Sequence, residues 1–123
     1  MAVDWHGPHW LGVVIAACEQ CGRNKLPEVA APTTLAQALS QLAPAARRLL
    51  LEPEAGTSLL AAAQGAPAVA LLIGPEGGVS PGELQLCERS GFTACRLGPR
   101  VLRTETAPLA ALSILQAVAG DLA

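Results

Sequence analysis

The sequence predicts an α/β fold: a mostly parallel sheet with helices on both faces. Three observations lead there. Short apolar runs at 47–52 (RRLLLE), 68–73 (AVALLI) and 93–97 (TACRL) have the length and composition of strands. Segments with helix start and stop signals lie between them, so strand and helix alternate. The chain has 123 residues, the size of one ordinary domain, and much of its 51% apolar content is alanine, which suits close packing of helices on strands.

Taken in order, WLGVVIAACEQC at 10–21 reads as a helix that stops at Gly22, with Arg23 and Lys25 just past its end. Pro27 and Pro32 make 23–33 a loop. A second helix is expected from about Leu35 to Leu42, capped by Thr33 or Thr34 and ended by Pro44. The run 47–52, between Pro44 and Pro53, suits a buried strand. SLLAAAQG at 58–65 is a short helix with Ser58 as cap and Gly65 as stop. AVALLI, between Pro67 and Gly74, is the clearest strand, with the continuous apolar pattern of one covered on both faces. Ser80-Pro81-Gly82-Glu83 is a helix start with a serine cap, proline at the first helical position and glutamate three residues after the cap; this helix runs to Ser90 and stops at Gly91. TACRL is the third strand, 97–106 a loop, and a last helix runs from about Glu105 to Leu122. In that helix Leu109, Leu112, Leu115, Val118 and Leu122 form one stripe, widened by Ala110, Ala111, Ile114 and Ala117. A helix apolar nearly all round requires cover on two sides, here the sheet and a second copy of the chain, unless it is wholly internal.

A net charge of −2 argues against a free-standing nucleic-acid binder, although Arg23 with Lys25, Arg47 with Arg48, and Arg96, Arg100 and Arg103 leave room for local basic patches. Cys18 and Cys21 have zinc-like spacing. The other two cysteines, Cys87 and Cys95, do not, and the first pair falls inside a helical pattern, so reduced, half-buried thiols are expected and no metal. His6 and His9 beside Trp5 and Trp10 read as part of an irregular segment. The opening residues lack a signal-peptide pattern and no apolar run approaches the roughly 18 residues of a membrane span, which predicts a soluble cytoplasmic protein.

The chemistry is expected in two turns. In LLIGPEGGVSPGE, 71–83, the second strand breaks directly into Gly74-Pro75-Glu76-Gly77-Gly78. Ligands of open α/β sheets sit beyond the carboxyl ends of the strands, and glycine lets backbone approach them closely. The stretch fits neither phosphate-loop pattern, and Glu76 is negative where a phosphate would rest, so a neutral or cationic ligand suits it better, the alternative being a purely structural turn. LGPRVLRTETA, 97–107, also follows a strand and holds Arg100 and Arg103 ahead of a helix start at Thr104-Glu105-Thr106. Two irregular loops at one sheet edge can enclose a site.

GPEGG at 74–78, LG-x-R-x-LRTETA at 97–107, and EQ-x-x-R at 19–23 followed by Pro27 and Glu28 resemble the ribosomal RNA small subunit methyltransferase E family, 16S ribosomal RNA uridine-N3 methyltransferases of the SPOUT superfamily. The resemblance spans roughly residues 10–120. It implies a deep C-terminal trefoil knot, S-adenosylmethionine held by the knotted loops, a homodimer, and 16S rRNA of the small ribosomal subunit as substrate. It implies cofactor contacts at Leu72, Gly74, Pro75, Gly77, Gly78, Leu97, Gly98, Leu102 and Thr106. Arg103 would face the uracil oxygens, with Glu105 or Glu76 as proton acceptor, or else Arg103 pairs with one of those glutamates. Arg23, Arg96 and Arg100 would meet RNA phosphates. Family members are about twice this length, so residues 1–123 are expected to form a single SPOUT-type methyltransferase domain, N-terminally truncated and lacking the family's PUA-like domain and first strand. The alternative reading is a non-catalytic knotted module that dimerises and binds cofactor without methyl transfer.

Overall fold

In a computed structural model, residues 30–75, 78–103 and 105–119 are described. The helix expected at 10–21, the Cys18–Cys21 pair and Arg23 lie outside them. The chain divides into two units, Met1–Gln37 and Ala38–Ala123, and the sheet and its helices belong to the second.

Helix α1 (Leu35–Ser40) is capped by Thr34, whose hydroxyl accepts the Gln37 N–H at 3.2 Å. It ends two residues before the expected Leu42, because Gln41 and Leu42 donate to the carbonyls of Ala38 and Leu39 and tighten the last turn. Then follow β1 (Arg47–Leu51), α2 (Leu59–Ala63), β2 (Val69–Ile73), α3 (Pro81–Arg89), β3 (Thr93–Cys95) and α4 (Ala107–Ala119). Ser58 caps α2 and Ser80 caps α3, as their sequence signatures predict.

The three strands are parallel in the order β2-β1-β3, with Leu49 of β1 opposite Leu71 on one side and Thr93 on the other. Leu49 and Leu50 point to opposite faces and are 1% and 2% exposed. On one face Leu49, Leu51, Val69, Leu71 and Cys95 pack with Leu59 and Ala63 of α2 and Ala111, Ile114 and Leu115 of α4. On the other face the Arg48 guanidinium donates to the carbonyl of Ser90, at the end of α3, at 2.7 Å.

One expected boundary moves, and two placements that the sequence left open are decided. AVALLI is the edge strand of the described sheet and all five residues of β2 are half-buried, whereas RRLLL is central. A continuous apolar run reports cover above and below a strand, not the number of strands beside it. The third strand is shorter than 93–97, but Arg96 extends the pairing by a single parallel bridge to Ser58. Finally, α4 turns an alanine-rich face to the core and leaves part of the leucine stripe open. Ala107 and Ala111 are buried while Leu109, Leu112 and Val118 are 69%, 52% and 55% exposed. Small side chains let the helix pack closely against α2, while Leu109 and Leu112 are left on the outside.

Candidate functional site, a cleft at the carboxyl edge of the sheet

The connection from β2 passes to the far side of β1 before β3 begins, so the chain changes direction across the central strand. At such a switch the loops leaving neighbouring strands part and leave a crevice. Here the loops after all three strands line one cleft of about 230 Å³. Leu51 to Glu54 form one wall, Ile73 to Pro75 and Gly78 a second, and Leu97 with Arg100 to Leu102 a third, closed by Ala107 at the start of α4.

The wall after β1 is held by main-chain bonds. Glu52 N–H donates to Cys95 C=O at 2.8 Å and Ala55 N–H to Glu52 C=O at 3.1 Å. The Arg96 side chain reaches across from β3 to the Ala55 carbonyl at 3.1 Å, and its backbone bonds to Thr57 and Leu59 continue the ladder into the loop.

The wall after β2 is shaped by glycine. A β-carbon at Gly74 would stand 3.0 Å from Cγ1 of Val79, and Gly78 has φ +80° while donating to the Pro75 carbonyl at 2.8 Å. Beyond it, Ser80 and Glu83 exchange side-chain to main-chain bonds at 3.2 and 3.0 Å. The bond from the Ser80 N–H, followed by that from its hydroxyl, holds the Glu83 carboxyl below the usual glutamate range.

Of the residues expected to meet a cofactor, Gly74, Pro75, Gly78, Leu97 and Leu102 line the cleft. Gly77 and Glu76 lie outside the described residues. Leu72, Gly98 and Thr106 do not line it: Leu72 sits opposite Leu50, on the other face of the sheet from the α2–α4 core, Gly98 turns the chain at φ +68°, and Thr106 N–H donates to the Arg103 carbonyl. Arg103 also lies outside the cleft lining. Its side chain is 83% exposed and 4.0 Å from the Glu105 carboxylate, which is the ion-pair alternative left open by the sequence.

The arginines grouped as RNA contacts separate. Arg100 lines the cleft, and the half-buried Arg96 is engaged with the loop after β1. Sequence reasoning missed Leu51, Glu52, Pro53, Glu54, Ile73, Val101 and Ala107. The signal for 52–54 was present, since those residues leave a strand at the same edge as the two motif loops.

Cys87 and Cys95 are buried free thiols, and burial pushes both above the ordinary cysteine range, with Glu83 and Glu88 adding to the effect at Cys87. Among the described residues no group of three or more His, Cys, Asp or Glu side chains could hold a metal ion, and no helix is long and apolar enough to cross a membrane.

Residues 2–116 match the model of the RNA methyltransferase domain family. The ribosomal RNA small subunit methyltransferase E of Buchnera aphidicola from Schizaphis graminum is 39% identical over 114 residues, which is 93% of this chain and 46% of that protein. The Neisseria gonorrhoeae enzyme of the same name, solved bound to S-adenosylmethionine, superposes with a TM-score of 0.85 at 36% identity, covering 94% of this chain and 49% of the other. A Legionella pneumophila protein solved with the same cofactor gives 0.78 at 45% identity, covering 89% and 45%. The chain therefore spans about half the length of the relatives it matches. With strands, glycine turns and the LRTETA loop all inside the matched region, the chain belongs to the RNA methyltransferase domain family, alongside the ribosomal RNA small subunit methyltransferase E proteins.

Proposed function

We propose that this chain is the cofactor-binding, methyl-transferring part of an enzyme that methylates a uridine at N3 in the 16S rRNA of the small ribosomal subunit. The observation that carries the reading is the meeting of both motif loops in one cleft at the carboxyl edge of the sheet. Its residues suit S-adenosylmethionine. Leu51, Ile73, Leu97 and Leu102 offer apolar surface to an adenine ring, Gly74 and Gly78 offer backbone at close range, and Glu52 and Glu54 offer carboxylates to a cation or to ribose hydroxyls. Gly77, expected from the family motif as a further contact, completes the set.

Bound there, the cofactor supplies an electrophilic methyl group on a sulfonium. The protein's own part is to orient the base and stabilise the charge that develops when N3 gives up its imide proton. Arg103, next in sequence to the cleft-lining Leu102, provides the cation for the uracil oxygens, and Glu105 accepts the proton. Arg23, Arg96 and Arg100 remain candidates for phosphate contact, with Arg96 constrained by its bond to Ala55. A trefoil knot of the SPOUT type, formed by the loops around the cleft, is part of the reading. So is a single methyltransferase domain acting in the cytoplasm. A homodimer covers Leu109, Leu112 and Val118, a partly apolar face that is otherwise open to water. The exposure of Arg103 favours a second reading, in which the chain dimerises and binds cofactor without transferring a methyl group.

Two measurements test this. Calorimetry should give heat with S-adenosylmethionine and its demethylated product but none with ATP or NAD; the reverse would sink the proposal. Labelled methyl transfer to small subunits isolated from cells lacking the modification should be weak for the chain alone, whose net charge of −2 limits phosphate binding. It should recover when the N-terminal half of a full-length relative is fused in front. No transfer by the fusion would favour the second reading.

A further inference from the structure

We propose that Glu52 and Glu54 make the cleft discriminate by charge, favouring the cationic methyl donor over its neutral, demethylated product. This rests on the reading of the cleft as the cofactor site. Among the described residues, the charged side chains lining it are two carboxylates, Glu52 and Glu54, and one guanidinium, Arg100, a formal net of one negative charge. Among the described residues neither glutamate forms a salt bridge. At neutral pH S-adenosylmethionine carries an ammonium, a carboxylate and a sulfonium, a net of one positive charge. Once the methyl has left, the sulfur is a thioether and the net charge is zero. The cleft thus complements the substrate form of the ligand and loses that complement when the reaction is over.

The glutamates are placed to do this. The Glu52 backbone is bonded on both sides, to Cys95 through its N–H and to Ala55 through its carbonyl, and the Arg96 side chain holds the same turn. Glu52, a half-buried residue, is therefore presented from a fixed main chain at the end of the central strand. Glu54 is exposed at the rim, where its attraction is screened by solvent and salt. Neither residue contributes an apolar surface to the core, so both are free to serve the ligand.

The experiment compares the affinities of S-adenosylmethionine, S-adenosylhomocysteine and sinefungin, in which an ammonium-bearing carbon replaces the sulfonium. They are measured by calorimetry on the full chain and on Glu52→Gln, Glu54→Gln and the double variant. The double variant should lose roughly fivefold to tenfold in affinity for the two cationic ligands with little change for the neutral one, and Glu54→Gln a smaller part of that. In the unmodified chain the preference for the cations should shrink as salt is raised. An equal loss for all three ligands would overturn the inference, since it would mean that the carboxylates bind ribose hydroxyls or shape the turn. So would an unchanged ratio. Failure of the unmodified chain to bind any of the three would instead overturn the cofactor reading, and this inference with it. Because Glu54 is exposed, its single variant keeps the test available even if the double variant does not fold.

Discussion

The loops after β2 and β3 carry the two motifs, yet they are built on opposite principles. In the loop after β2 the described residues are shaped by the main chain: a glycine whose β-carbon would crowd Val79 at 3.0 Å, a glycine at positive φ, and a serine–glutamate capping box that starts α3 at once. The loop after β3 is longer and puts side chains outward, with Val101 66% exposed and Arg103 83% exposed. It reaches α4 through bonds from the N–H groups of Thr106 and Ala107 to the Arg103 carbonyl. The described residues of the first loop supply backbone and those of the second supply exposed cationic side chains. A change in the first should therefore act on stability and binding together, whereas a change at an exposed side chain of the second should leave stability nearly untouched.

The largest effect should come from Gly74→Val. Even a β-carbon would meet Val79 at 3.0 Å, so a branched side chain has to push the turn apart. Denaturant unfolding should show a loss of about 1–3 kcal/mol, and calorimetry a loss of cofactor binding. A variant that folds and binds normally would show that this wall is not shaped by close packing.

Gly98→Ala should come next and should sharpen the contrast. With φ +68° and open space around the missing side chain, the cost is backbone strain alone, about 1–2 kcal/mol. Since Gly98 does not line the cleft, binding should fall much less than for Gly74→Val. Equal losses in the two variants would break the distinction between the loops.

Ser80→Ala removes one of the two bonds of the capping box and should cost about 1 kcal/mol by thermal unfolding. A pH dependence should accompany it. The folded Glu83 carboxyl titrates below its unfolded value, so its contribution is complete above the ordinary glutamate range near 4.5 and disappears as pH falls through the lowered value. Stability of the unmodified chain should therefore decline on acidification below that range, and Glu83→Gln should flatten this part of the profile. Ser80→Ala should only weaken it, since the main-chain bond from residue 80 is the larger cause of the shift.

The smallest effect on the fold should be that of Arg103→Ala, within about 0.5 kcal/mol, because an exposed pair 4.0 Å apart is weak. Cofactor binding should be unchanged, while methyl transfer by the full-length fusion should fall steeply. A fusion as active as its parent would remove Arg103 from the mechanism.

Local signals in the sequence reached the fold with little error. The caps at Ser58 and Ser80, the stops at Gly65 and Gly91 and the existence of the three strand segments depend on residues close together in the chain, so their physics is present in the sequence. The motifs likewise identified both loops of the cleft. Tertiary structure alone decided which apolar strand is central, which face of α4 turns inward, and that the acidic turn after β1 joins the site. It also separated three neighbouring arginines, sending Arg96 to a loop carbonyl, Arg100 to the cleft and Arg103 to solvent. The reason is common to all of these. Strand order and helix rotation are settled by contacts between segments tens of residues apart, and a side chain's role follows from what those contacts bring beside it.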